Sequence, residues 1–185
     1  TDKSVIAELD KANTVFSSAN SINWGRLAPQ IIYYVSSYVQ LVKDGELKYG
    51  EKLNVVVPTG NFGNILAAYY AKQMGIPIGK LICASNANNV LTDFINTGIY
   101  DRNRHFYTTV SPSMDILISS NLERLLYHLT GEDDKLINEW FTLLKNEVRY
   151  EVNDSVKTAI KENFYAGCCN DDDTKAAIKE VFDEY

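Results

Sequence analysis

The chain has 185 residues and 20.8 kDa, with 45% hydrophobic and 23% charged residues, a globular composition that can bury one sizeable core. A formal net charge of -6 and a sequence pI near 4.9 set up a field that repels nucleic acid and anionic membranes, which leaves small polar metabolites as the expected partners. No run of about 18 apolar residues and no charged-then-apolar leader at Thr1 is present, so the chain reads as cytoplasmic, not nucleic-acid-bound and not membrane-bound.

A short helix is expected over residues 4–9, followed by the polar stretch 17–23. From Trp24, apolar residues at Ile31, Val35, Tyr38 and Val42 recur at helical spacing until Asp44-Gly45 stops them. Residues 53–57 form an apolar strand pattern, the turn Pro58-Thr59-Gly60-Asn61-Phe62-Gly63-Asn64 follows, and a helix runs to about Met74, closed by Gly75 and Pro77. A second strand over 81–85 completes a βαβ span of about 30 residues, the unit of a parallel sheet. Next come a helix over about 88–96 with Gly98 at its end and a short strand over 106–110. Helices are then expected over 114–129, carrying Ile118, Leu122, Leu125 and Leu129 on one face, and over 136–148. Val156, Ile160 and Phe164 mark another helix, and Ala177, Ile178, Val181 and Phe182 a last one. Asn170-Asp171-Asp172-Asp173 reads as a helix start, where carboxylates suit the dipole, and lacks the glycine and distal glutamate of a calcium loop. Cys83, Cys168 and Cys169 have neither zinc nor disulfide-framework spacing.

Two polar clusters stand out. The glycine turn joins a strand to a helix start, where unpaired N–H groups and partial positive charge hold anions and glycines let the backbone approach. Only Gly60-x-x-Gly63 is present, and the second strand ends in serine and asparagine rather than an acid, which argues against a dinucleotide fingerprint. Gly75-Ile76-Pro77-Ile78-Gly79-Lys80 is one residue short of a Walker A loop and lacks its hydroxyl. A nucleic-acid-clamping loop would want basic company, and none occurs from Asn54 to Ala71. An isolated Gly-x-x-Gly more often makes a tight turn with no ligand. Here Thr59, Asn61 and Asn64 surround it with neutral donors.

The second cluster, Ser18-Ala19-Asn20-Ser21-Ile22-Asn23-Trp24-Gly25-Arg26, sets amides, hydroxyls and one arginine ahead of a helix. It suits either a carboxylate or phosphate ligand or a plain N-cap with a surface arginine. His105 and His128 lack a paired carboxylate at useful spacing and read as surface or packed residues. Three readings stay open on these residues: an enzyme, a non-catalytic phosphate-ligand-binding α/β module, and a helical interaction domain over 114–185, which leaves both clusters without a role.

Taken together, these clusters, with Pro29-Gln30-Ile31-Ile32-Tyr33-Tyr34, Ala84-Ser85-Asn86-Ala87-Asn88 and Ser111-Pro112-Ser113-Met114-Asp115, closely resemble threonine synthase, of the pyridoxal phosphate fold that includes the tryptophan synthase β subunit. The resemblance covers most of the first 130 residues and implies an α/β chain, a partial parallel sheet of a fold-type II enzyme with flanking helices and a C-terminal helical region. It divides the chain into residues 1–26, the tail of a small domain with a substrate-side loop; 27–130, the large-domain portion with the cofactor phosphate cup; and 131–185, a helical appendage. It implies pyridoxal phosphate as cofactor, held through its phosphate by Gly60, Asn61, Phe62, Gly63 and Asn64. O-phosphohomoserine is the implied substrate, faced by Asn20, Ser21, Asn23 and Arg26, and a lyase reaction with water gives threonine and phosphate. The family's Schiff-base lysine lies in a Phe-Lys-Asp context upstream of the asparagine and serine cluster, and no such segment occurs in these residues. The chain therefore reads as a middle portion of a longer enzyme, without a catalytic residue of its own and expected to be inactive alone.

Overall fold

The computed structural model describes residues 2–185. Its centre is a three-stranded parallel sheet in the order β1-β2-β5, formed by Leu53–Pro58, Ile78–Ser85 and Phe164–Cys168. The expected βαβ unit is present: β1 leads through the glycine turn into the helix Gly63–Gln73 and back to β2. Ala67, Ala68 and Ala71 on that helix are fully buried, and their small side chains allow close approach to the sheet.

In chain order the helices are α1 (Lys3–Lys11), α2 (Trp24–Leu27), α3 (Ile31–Lys43), α4 (Gly63–Gln73), α5 (Val90–Thr97), α6 (Leu122–Leu129), α7 (Asp134–Asn146), α8 (Asp154–Asn163) and α9 (Asp171–Glu184). Each start has a chemical reason where a side chain caps it. Asp133 accepts from the amides of Lys135 and Leu136, Asn153 from Val156, and Asn170 from Asp173. α4, α5 and α8 pack on the sheet, whereas α1 and α9 bury no residue.

Several expectations are corrected. Residues 106–110 form no strand; a second, two-stranded antiparallel sheet instead pairs β3 (Ile99–Asp101) with β4 (Arg149–Glu151). Side-chain stacking drives that pairing: the Tyr100 and Tyr150 rings lie 5.4 Å apart and nearly parallel, with Trp140 stacked on Tyr150 at 6.1 Å. The helix expected over 114–129 begins only at Leu122, because Pro112–Met114 is a 3-10 turn and Ile118 is left exposed. Phe164 ends no helix. It opens β5, whose burial against Phe62 and Tyr69 outweighs a helical apolar spacing. The region 131–185 thus supplies helices and also a strand of the central sheet. The cysteines form no disulfide, with Cys83 buried in β2 and Cys168 and Cys169 exposed.

Candidate anion-binding site

The carboxyl ends of β1 and β2 and the start of α4 meet in one place, the position where open parallel sheets hold ligands. Thr59 is tied down first: its amide donates to the Ala84 carbonyl at 2.8 Å, and its hydroxyl to the Val57 carbonyl at 2.6 Å. The hydroxyl expected to face a ligand is therefore engaged by the strand end.

Beyond Thr59 the backbone turns sharply. Phe62 adopts a left-handed conformation, φ 63°, which a non-glycine residue accepts only when its surroundings hold it there. What holds it is burial of its ring, 1% exposed and packed at 5.8 Å on Phe164. The consequence is a cradle. Among the described residues, the backbone N–H groups of Gly60, Asn61, Phe62, Gly63, Asn64 and Ile65 have no hydrogen-bond acceptor, and the last three begin α4. The first helical bond is donated by Leu66 to the Phe62 carbonyl at 3.1 Å.

These groups line a cavity of about 190 Å³ with Ser21, Arg26, Leu27, Gln30, Val57 and Ser113. Of the residues expected on the substrate side, Ser21 and Arg26 therefore join Gly60–Asn64 in a single cavity. Asn20 and Asn23 do not line it. The Asn20 side chain accepts from the Ile22 amide, and Asn23 caps α2 by accepting from Gly25 while donating to the Ser18 carbonyl. Asn64 receives the Tyr34 hydroxyl at 2.5 Å, and burial pushes the Tyr34 phenol up to about 12.

Two features suit a phosphate. Row upon row of unpaired N–H groups at a helix N-terminus is the chemistry that holds anions. Gly60 leaves room that a side chain would take, since a Cβ there would lie 2.6 Å from the Ser113 carbonyl oxygen. Gln30 also reaches the cavity wall, where its buried Oε1 has no partner; being an acceptor, that oxygen adds nothing to the hold on an anion. The volume is below the roughly 300 Å³ of small-molecule pockets, so the cavity matches a phosphate group rather than a whole cofactor.

Sequence reasoning assigned no role to the roof of the cavity. Ser113 is placed by the 109–115 loop, which is held by Asp115. One Asp115 oxygen accepts from Asn86 Nδ2 at 2.7 Å, Asn88 Nδ2 at 3.0 Å and Thr109 Oγ1 at 2.8 Å, and the other accepts from the Thr109 amide at 3.0 Å. These bonds, led by the Thr109 amide, hold the Asp115 carboxyl below its ordinary value. Its stabilising contribution is thus fully present above about pH 4 and is lost as pH falls through the lowered folded value. The thermal midpoint of the chain should exceed that of Asp115→Asn at neutral pH, and the gap should narrow on acidification. A gap undiminished near pH 2 would contradict this role.

Among the described residues, no lysine lines the cavity. Lys72, the lysine whose burial lowers its pKa, donates to the Gly79 carbonyl at 2.6 Å. Gly79 is near the start of β2, at the opposite end of the sheet from the cup.

Comparison with known proteins gives the class first: the fold is that of pyridoxal phosphate enzymes of the threonine synthase type. The crystal structure of PLP-bound threonine synthase from Brucella melitensis matches with a TM-score of 0.85 and 38% identity, over 97% of this chain and 37% of that one. The yeast enzyme matches with a TM-score of 0.81 and 40% identity, over 88% of this chain and 33% of that one. No protein-family model matches the chain. In sequence, human threonine synthase-like 1 is 50% identical over 170 residues, 91% of this chain and 23% of that protein. Threonine synthase of Saccharomyces cerevisiae is 40% identical over 175 residues, 90% of this chain and 34% of that enzyme. The chain is therefore related to threonine synthase along nearly its whole length and spans about a quarter to a third of these relatives. Pyridoxal phosphate is the cofactor of that family.

Proposed function

We propose that this chain is the phosphate-cup portion of a pyridoxal phosphate-dependent threonine synthase, which converts O-phosphohomoserine and water to threonine and phosphate. The observation that carries the reading is the set of consecutive unpaired N–H groups from Gly60 to Ile65, gathered at the α4 N-terminus beside Arg26. Gly60, Asn61, Phe62, Gly63 and Asn64 hold the cofactor phosphate, Phe62 through its amide alone because its ring is in the core. The cofactor, when bound, would supply the electron sink for loss of phosphate from the γ-carbon and addition of water at the β-carbon. Arg26 and Ser21 orient the substrate's anionic groups, with Asn20 and Asn23 shaping the loop that carries them. Leu27 and Val57 make the apolar wall and exclude water from the phosphate end.

The Schiff-base lysine belongs to the parent enzyme outside these residues, so this chain binds but does not turn over substrate by itself. The negative charge supports an enzyme acting on a small metabolite, and among the described residues no helix is long and apolar enough to cross a membrane.

The test is a backbone-amide NMR titration with pyridoxamine 5′-phosphate, which has no aldehyde and leaves stray lysines unmodified. Shifts concentrated between Thr59 and Ile65 are expected. A well-dispersed spectrum that does not respond at millimolar ligand would sink the assignment of the cup to this chain.

A further inference from the structure

Asn121 is completely buried and occupies the N-cap position of α6, yet its side chain does not cap the helix. Asparagine at that position ordinarily accepts an N–H from the first turn, worth about 1 kcal/mol. Here the amide is turned elsewhere. Its Nδ2 donates to the Ser21 carbonyl at 2.9 Å and to the Asn61 carbonyl at 2.8 Å, while the Asn121 backbone amide donates to the same Asn61 carbonyl at 3.1 Å. Its Oδ1 accepts from Arg124 Nη1 at 2.6 Å, and Arg124 Nη2 donates to the Ile22 carbonyl at 2.6 Å.

One side chain thus grips the cup backbone at Asn61 and the substrate-side loop at Ser21, segments 40 residues apart in sequence. Two neighbours add to the tie. Ser120 shares a hydroxyl contact with Ser21 at 3.1 Å, and Ser119 Oγ donates to the Gly60 carbonyl at 3.2 Å. In a trans peptide the N–H lies opposite the C=O, so bonding the Gly60 and Asn61 carbonyls leaves the Asn61 and Phe62 N–H groups on the other side for an anion.

Building on the proposed function, we infer that Asn121 is a positioning residue: braced by Arg124, it locks the Gly60–Asn64 turn and the 18–26 loop into one register, so that occupancy of the cup is transmitted to the loop. Asn121 touches no ligand. Its truncation frees the Ser21 carbonyl, leaves the Asn61 carbonyl only the Asn121 backbone amide, and loosens the tie between the two segments.

The experiment is the pyridoxamine 5′-phosphate titration repeated on Asn121→Ala and Arg124→Ala, with amide hydrogen exchange measured on each. In the unmodified chain, cup shifts should be accompanied by shifts at Ser21, Ile22 and Asn23. In Asn121→Ala, affinity should fall at least about tenfold. At saturation the cup should still respond while the loop does not, an uncoupling that a uniform loss of stability would not produce. Should Asn121→Ala fail to fold, Arg124→Ala decides, since it removes only the brace; a weaker affinity and a silent loop are expected. Either variant that folds and keeps both affinity and loop response overturns the inference.

If the unmodified chain binds nothing, the cup reading fails on its own and exchange decides the role of Asn121. The amides of Arg26 and Leu27, which donate to the Asn23 carbonyl, should exchange at least about tenfold faster in either variant, with the core amides of β2 unchanged. Equal exchange would refute it.

Discussion

Replacing Gly60 with alanine is expected to weaken pyridoxamine 5′-phosphate binding by about 100-fold while leaving the sheet intact. The added Cβ would sit 2.6 Å from the Ser113 carbonyl oxygen. Real contacts of this kind are longer, so either the turn or the 109–115 loop must yield. That loop is anchored by four hydrogen bonds to Asp115, and the turn is pinned by Phe62 and Asn121, so the strain falls on the cradle. Gly63→Asp tests the same cup by charge instead of shape. A Cβ at Gly63 meets nothing nearer than Asn121 Nδ2 at 3.4 Å, an ordinary contact. The new carboxylate lies in the first turn of α4, where it stabilises the helix by roughly 0.3–1 kcal/mol and repels a phosphate. Binding should vanish while the thermal midpoint holds or rises. Undiminished affinity in Gly63→Asp would remove the cup from consideration.

Phe62→Ala should be among the most destabilising single changes in the chain. The ring is 1% exposed and packed against Phe164, so its loss combines a transfer penalty with a cavity, about 3–5 kcal/mol. For a chain of this length that is a fall in midpoint of roughly 10 °C, read by thermal unfolding. The backbone adds a sharper test. Alanine retains the cost of a left-handed residue, about 1–2 kcal/mol, whereas glycine does not. Phe62→Gly should therefore be more stable than Phe62→Ala, the reverse of the order inside a helix. If alanine proves the better tolerated, the left-handed conformation is not strained.

The glycine turn at the α4 start was legible because every element of it is local. A strand pattern, two glycines and a helix pattern occupy consecutive residues, and helix ends carry their unpaired N–H groups wherever they occur. The 18–26 loop was legible as a polar cluster but not in its detail. Asn20 and Asn23 satisfy their own turn, while Ser21 and Arg26 line the cavity, a division that depends on which way a loop folds against α4. Nothing local marks Asn121 as more than a helix start, or Gln30 as a buried amide at the cavity wall. β3 and β4 are three residues each and gain their stability from stacked rings 50 positions apart, which no short-range pattern encodes.

Composition, charge and local pattern by themselves determined an acidic α/β chain, its βαβ unit and a glycine turn at a helix start, because these depend on side-chain chemistry and on neighbours within a few residues; the relationship to threonine synthase was carried by the resemblance of whole motifs. Only the tertiary structure decided that Phe164 begins a third parallel strand, that Thr59 turns its hydroxyl to Val57, and that Ser113 roofs the cup. It alone revealed Asn121 bridging Ser21 to Asn61. The physical reason is common to all four: each places a polar group or ring by satisfying partners distant in sequence or on the far side of a turn, and burial energy sets those pairings only once the chain has closed on itself.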